Sequence, residues 1–395
     1  MLRNFKNKRE QMIIINATIY TMEQDVIKNG YLCAEHGVIT ELGSMEQYRG
    51  STEGVIDAKG ASLYPGFVDA HSHLGMWEDG MGFEGDDGNE ATDPSTPQLR
   101  AIDAINPRDN CFREALAAGI TTVVTGPGSA NPIGGQLAAI KTIGGRIDDI
   151  ILKEPLAFKF ALGENPKGIY HGKNQSPETR MATAAIIREQ LYKARKYMQD
   201  KQRAQLDDDY DEPEYDMKCE ALLPLLEGRV KAHFHAHRTD DIFTAIRIAR
   251  EFGLGYVLLH CTEGHLIAPE IQQEGACAVI GPVICDRSKP ELRNLTPATS
   301  GVLAAHDVPL AICTDHPVIP AQYLPLSAGL AVRDGLVYEE ALRAITINPA
   351  RICGIDDRVG SIAVGKDCDL VMFDTDPLSV YAKPRMVLVN GNKVV

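Results

Sequence analysis

The chain has 395 residues, 44% hydrophobic and 24% charged, an ordinary soluble globular balance with room for one large barrel and a smaller module. Its formal net charge of −14 argues against nucleic acid as the main partner and gives no support to binding at an anionic membrane, because both need a basic face. No apolar run approaches the ~18 residues needed to span a bilayer, so the expected setting is aqueous.

The opening segment "MLRNFKNKREQM" is charged, and no signal-type apolar stretch or cleavage site follows it. Residues 12–64 then carry short β-like pieces, "MIIINATIYTM", "GYLCAEHGVITELG" and "GVIDAKGASLYPG", punctuated by Gly and Asn turns. From "PGFVDAHSHLG" onward the pattern changes. Apolar runs such as "ITTVVTG", "LAFKFALG", "VKAHFHAH", "YVLLHC", "CAVIGP" and "LAICTD" alternate with helix-like stretches. "SPETRMATAAIIREQLYKARKYMQDKQ" offers Ser176 as N-cap and Pro177 at the first helical position, and "TDDIFTAIRIAREFG" ends on Gly253. Near the C-terminus "GSIAVGKDCDLVMFD" and "RMVLVNGNKVV" read as strands again. The alternation predicts parallel β/α units closed into a (β/α)8 barrel over residues 65–350. The two terminal β segments, 1–64 and 351–395, are expected to join as one module, since chain termini tend to lie close together. The nine cysteines include no C-x-x-C pair and read as reduced thiols of a cytoplasmic protein.

In such a barrel the chemistry sits at the C-terminal ends of the strands. The first strand ends on His71 and His73, whose spacing of two puts both side chains on one face. The fifth carries His233, His235 and His237 on one face, the sixth ends on His260 and the eighth on Asp315. Any one of these is an ordinary strand-end residue. Four strands ending in His, His, His and Asp make a donor set for a divalent metal, with Zn2+ the natural match, at one or two ions per chain. Asp315 has a second role open to it. A carboxylate beside a metal that acidifies water can take the proton and hand it to a leaving nitrogen.

The stretches "PGFVDAHSH", "HAH", "HCTEGH", "TDHP" and "INPARICGIDDRVGSIAVGKDCDLVMFD", in that order, resemble the amidohydrolase superfamily, nearest to its imidazolonepropionase-related hydrolases. The resemblance implies a barrel with a composite β-sandwich built from both termini. It implies that His71 and His73 bind a first metal, that His235 and His260 serve a second or shared position, and that Asp315 is both ligand and general base. His233 falls lower in the barrel and His237 above the ligand, facing substrate. On the fourth strand the family places a carboxylated lysine or a glutamate, and "FKFALGENPK" offers both Lys159 and Glu164. Parity puts Lys159 inside, between outward Phe158 and Phe160. Glu164 needs no modification and stands at the strand end after Gly163, and it is the preferred ligand of the two.

Pocket residues are expected from the loops: Trp77 past His73, His237, Glu263 and His316 near the ligands, and Lys167, His171 and Arg238 for a substrate carboxylate. The leading reading is a hydrolase of an amide, cyclic amide or dipeptide C–N bond in a small molecule, with a homo-oligomer as the expected assembly. A deaminase on the same scaffold is the alternative, with Glu263 in the role of a glutamate beyond strand six. A non-catalytic scaffold is the third reading, and the complete donor set counts against it.

Overall fold

The structure, a computed structural model, describes residues 11–51 and 53–395, so most of the charged opening segment lies outside the described residues. In β1 (Gln11–Ile19) the buried side chains Ile14, Ala17 and Ile19 face a common core, and β2 (Ile27–Glu35) and β3 (Val38–Ser44) extend it as an antiparallel meander. The β2–β3 turn uses His36 and Gly37, both at positive φ, as a tight hairpin requires. The short β4 (Ile56–Asp57) and β5 (Ser62–Pro65) then lie parallel to β1.

The chain next builds a second, sequentially ordered sheet of eight strands. It begins with β6 (Phe67–Ser72), α1 (Asn110–Ala117), β7 (Ile120–Thr125), β8 (Ile133–Lys141) and β9 (Ile151–Ala161). The helices α2 (Glu164–His171), α3 (Arg180–Leu206) and α4 (Met217–Leu226) lead to β10 (Lys231–Ala236). Then follow α5 (Thr239–Phe252), β11 (Tyr256–His260), α6 (Ala268–Gln273), β12 (Cys277–Ile280), α7 (Thr299–Ala305) and β13 (Leu310–Ile312). Across the remaining gap, Asp315 N donates to His71 O at 3.1 Å and His73 N to His316 O at 2.8 Å, so the sheet is a nearly closed barrel.

One feature departs from a strict (β/α)8 barrel: β8 runs antiparallel to both β7 and β9, with no α-helix on either side and only a 3-10 turn at Ile147–Asp149 before β9. The reason is length. The connections 126–132 and 142–150 are shorter than the dozen or more residues that a parallel crossover needs. A second departure is local. Helix α3 begins at Arg180 with Thr179 as its N-cap, its hydroxyl accepting from Ala182 N at 3.0 Å, and not at Ser176–Pro177.

After α8 (Leu324–Arg333), α9 (Tyr338–Arg343) and α10 (Ile347–Cys353), the chain returns to the first sheet with β14 (Leu370–Phe373), β15 (Met386–Val389) and β16 (Asn392–Lys393). Strand β14 pairs antiparallel with β5, Leu370 opposite Pro65, so strands from both ends of the chain form one sheet. Ile14, Leu32, Leu63, Leu370 and Leu388 share its buried core. At the seam, buried Lys141 of β8 pairs with Asp369 and lies 2.9 Å from Asp367.

Candidate metal centre

Strand direction decides where the polar side chains gather. The parallel strands all point the same way, so β6 delivers His71 and His73, β9 Lys159, β10 His235 and β11 His260 to one end of the barrel, with Asp315 just past β13. His237 follows one residue beyond β10. In β9, Phe158 and Phe160 pack outward with the helix layer, and Lys159 between them is fully buried on the inner side. The backbone bends sharply at the rim: His260, Cys261 and Asp315 all have positive φ, at 68°, 48° and 55°. Such conformations cost non-glycine residues on the order of 1–3 kcal/mol and persist where the surroundings hold them in place.

The imidazoles are aimed by contacts at Nδ1. That atom lies 2.6 Å from Gly126 O in His73, 2.9 Å from Ser129 Oγ in His235, 2.7 Å from Thr262 Oγ1 in His237 and 2.7 Å from Gly281 O in His260. Holding Nδ1 this way leaves Nε2 of each ring for the centre, the arrangement typical of metal-binding histidines. Asp315 Oδ1 lies 3.4 Å from His71 Nε2 and 3.2 Å from His73 Nε2, and Lys159 Nζ lies 3.2 Å from His71 Nε2. Ligand atoms of His71, His260 and Asp315 fall within 4.8 Å of one another, and so do those of His235, His237 and His260. His260 is common to both groups.

Burial drives the histidines toward the neutral form that binds metal. It holds His71, His237 and His260 well below their ordinary range and lowers His235 as well. Burial also brings the Lys159 ammonium down to about 8. For Asp315 burial raises the carboxyl, and its contacts with His260, His71 and His73 bring it well below its ordinary range. His71 is fully enclosed while the Asp315 side chain is 15% exposed, so Asp315 is the donor that an incoming molecule can reach. Neutral imidazole nitrogens with a carboxylate, and a buried His260 Nε2 that has no hydrogen-bond partner, fit a divalent ion of the Zn2+ type.

The structure brings together His71, His73, Lys159, His235, His260 and Asp315, and it sorts the other expected residues differently. Glu164 belongs to neither group: Gly163, at φ 84°, turns the chain into α2, and the Glu164 carboxylate accepts from Glu291 N at 3.3 Å. The strand-four side chain at the centre is therefore Lys159. His237 joins a donor group and is not set apart toward substrate, because Thr262 holds its ring beside that of His260 with centroids 4.7 Å apart. His233 sits lower on β10, fully buried, its pKa pushed down to about 3 by burial. Glu263 faces away: it accepts from Thr239 N at 2.8 Å and from Asn294 Nδ2 at 2.8 Å, holding the start of α5.

Trp77 lies edge-on to His73 with ring centroids 5.0 Å apart. His316 accepts from Ala321 N at 3.2 Å, and burial brings it to about 4. Arg238 is engaged by Asp240 at 3.0 and 2.9 Å. His171, exposed at the end of α2, faces Glu178 at 3.5 Å, and Lys167 lies half-buried on the same helix.

Two carboxylates at the centre escaped the sequence reading. Asp69, fully buried and raised to about 7 by burial, accepts from Thr314 N at 3.2 Å and from His71 N at 3.3 Å, tying β6 to the end of β13. Its place two residues before His71 was the available signal. Glu291, 1% exposed, puts Oε1 3.5 Å from His237 Nε2 and 3.7 Å from His235 Nε2. It comes from a single 3-10 turn, Pro290–Leu292, in the connection after β12, too short to carry a periodicity.

With this geometry in place, comparison with known proteins is informative. An amidohydrolase from Thermotoga maritima MSB8 of known crystal structure is 40% identical, superposes with a TM-score of 0.93, and is matched over 97% of this chain and 99% of its own. The chain belongs to the amidohydrolase family. The model of that family matches residues 226–395 of this amidohydrolase, the part that carries His235, His260 and Asp315. The amidohydrolase tasK of Hapsidospora irregularis is 32% identical over 92% of this chain, which spans only 39% of tasK's length. An imidazolonepropionase from Cupriavidus taiwanensis is 25% identical over 89% of this chain and 85% of its own.

Proposed function

We propose that this amidohydrolase is a metal-dependent hydrolase that cleaves a C–N bond, an amide or cyclic amide, in a small molecule. One observation carries the reading: an ionised, partly exposed Asp315 lies 3.2–3.4 Å from the Nε2 atoms of His71 and His73, within the same donor group as His260. His71, His73 and Asp315 would hold a first ion and His235 and His260 a second or shared one, with Lys159 as the strand-four ligand once carboxylated. A divalent ion there would polarise the scissile carbonyl and acidify water. The protein's own part is positioning and proton transfer. Asp315 takes the proton of the attacking water at its carboxylate and passes it to the departing nitrogen. Asp69 fixes Thr314 and so the angle at which Asp315 enters. Trp77 walls the His73 side of the opening.

A deaminase would need a carboxylic acid beside the substrate nitrogen. Glu263, the residue that the sequence offered, is occupied with the start of α5, which favours the hydrolase. The gathering of His71, His235, His260 and Asp315 as donors counts against a scaffold. The terminal sheet we read as a composite β-sandwich domain. Among the described residues no helix is long and apolar enough to cross a membrane, and all nine cysteines are unpaired thiols.

The test is a screen of N-acyl amino acids, dipeptides and cyclic amides, with ammonia release followed in parallel, on metal-stripped and Zn2+-reloaded protein. Metal-dependent hydrolysis without ammonia supports the reading. Ammonia release with conversion of an amino-substituted heterocycle to its oxo form, and no cleavage of the amides, would replace it with the deaminase.

A further inference from the structure

Three imidazoles gather on the β10–β11 side of the centre, and a carboxylate approaches two of them. The rings of His235, His237 and His260 are mutually packed, with centroids 4.6, 4.5 and 4.7 Å apart, and their ligand atoms lie within 4.8 Å of one another. The Glu291 carboxylate enters from the loop after β12 and is 1% exposed. Its Oε1 stands 3.5 Å from His237 Nε2 and 3.7 Å from His235 Nε2. Those separations are too long for N–H···O hydrogen bonds, which fall at ~2.7–3.2 Å. They match the edges of a coordination tetrahedron: bonds of ~2.0–2.2 Å give donor–donor edges of roughly 3.3–3.6 Å. With Nδ1 of His235 and His237 engaged by Ser129 and Thr262, both Nε2 atoms turn toward the carboxylate, and Asn165 Nδ2 stands 3.4 Å from His235 Nε2.

Glu291 is placed by more than chance contact. Its Oε2 accepts from Glu164 N at 3.0 Å while Glu164 Oε2 accepts from Glu291 N at 3.3 Å, a reciprocal clasp that fixes the loop to the rim of β9. That clasp leaves Oε1 as the atom facing the histidines. Lys289 Nζ reaches the same oxygen at 3.0 Å, and a carboxylate oxygen has lone pairs for both. Lys159, by contrast, makes its contact at His71, on the other side of the centre.

We infer that the second metal position is a His235–His237–His260–Glu291 site, complete without Lys159. The inference rests on the metal-dependent reading above and extends it: the second ion is held by a loop carboxylate and does not depend on carboxylation of the strand-four lysine.

The experiment counts bound Zn2+ by elemental analysis after reconstitution of the full-length apoprotein in bicarbonate-free buffer. Wild type is expected to bind two equivalents. His71→Ala, which empties the first position, leaves one, and that background isolates the second. Adding Glu291→Gln should take the count from one to zero, and adding His237→Asn should do the same should the glutamine variant fold poorly, as checked by its thermal melt. Adding Lys159→Ala should leave the count at one. Adding Glu164→Ala, which removes the acceptor for Glu291 N and so cuts the other half of the clasp, should also leave it at one and so separates ligation from loop anchoring. The inference falls if Zn2+ remains in both the Glu291→Gln and His237→Asn backgrounds, or if Lys159→Ala empties the position. A wild type that binds a single equivalent also overturns it while leaving a mononuclear hydrolase intact. A wild type that binds none overturns the hydrolase reading itself.

Discussion

Within the terminal sheet the inward side chains of β1, β5, β14 and β15 are Ile14, Leu63, Leu370 and Leu388, whereas the barrel strands β6, β9, β10 and β11 carry His71, Lys159, His235 and His260 to their ends. The backbones differ in the same sense. Positive φ in the terminal module falls on Asn16 and Asn29 at irregularities of the β1–β2 ladder and on the turn residues Lys59 and Asn390, while at the barrel mouth it falls on His260, Cys261 and Asp315. Among the described residues, every buried polar side-chain atom without a partner lies between His71 and Ser300, and none in the terminal sheet. Unpartnered buried polar groups cost free energy. The difference teaches where this molecule accepts instability. One sheet is built for packing, and the other gives up packing to hold neutral imidazoles at a fixed point.

The sharpest way to break this comparison is to change one atom at the mouth. Asp315→Asn should retain bound metal, since the histidines supply most of the donors, yet lose about 10²–10⁴ in kcat, because positioned proton transfer is worth that much. Metal analysis and turnover on a substrate found by the screen check it together. Near-full activity would remove Asp315 as the base.

Next in size is the seam. Lys141 is the buried cation that joins β8 to Asp367 and Asp369 of the C-terminal segment. Lys141→Ala leaves the Asp369 carboxylate buried without its cation, while Asp367 keeps Arg358 at 2.7 Å, and breaking a buried pair in this way typically costs about 3–5 kcal/mol. Denaturant unfolding should show that loss with the Zn2+ count unchanged. A loss of metal in step with stability would mean that the two sheets are not separable in function.

The motifs made much of this legible, and the failures have physical causes. His71 and His73, like His233, His235 and His237, announce themselves by a spacing of two on one strand face. The direction of β8 did not, because an antiparallel apolar run reads like a parallel one, although the brevity of 126–132 held the answer. Glu164 was favoured over Lys159 for standing at the strand end, but the turn at Gly163 carries it into α2 and out of the centre. Glu291 could not be found by pattern, since it reaches the histidines from one 3-10 turn, too short to show a period, by tertiary placement alone.

A smaller effect separates metal-site histidines from a merely buried one. His233 is brought to about 3 by burial, so the folded chain refuses a proton that the unfolded chain accepts near pH 6.5. Its contribution to stability is full above about pH 6.5 and is lost as pH falls toward 3, at up to about 1.4 kcal/mol per pH unit. His233→Leu should flatten that acid limb relative to wild type in urea unfolding at a series of pH values. An unchanged slope would mean that His233 gains a proton partner on folding.

The smallest expected effect tests the packing side. Ile14 lies opposite Leu32 of β2 and Ile56 of β4, with no exposed surface. Ile14→Val removes one methyl group from that core and should cost about 0.5–1.5 kcal/mol. In a chain of this size that is a shift in Tm on the order of 1–2 °C, because the unfolding entropy grows with length. Nothing in the change reaches the barrel mouth, so kcat, KM and the Zn2+ count should all stay at wild-type values. If turnover falls along with Tm, the terminal sheet is coupled to the position of the donors, and the seam at Lys141 is the first place to look for that coupling.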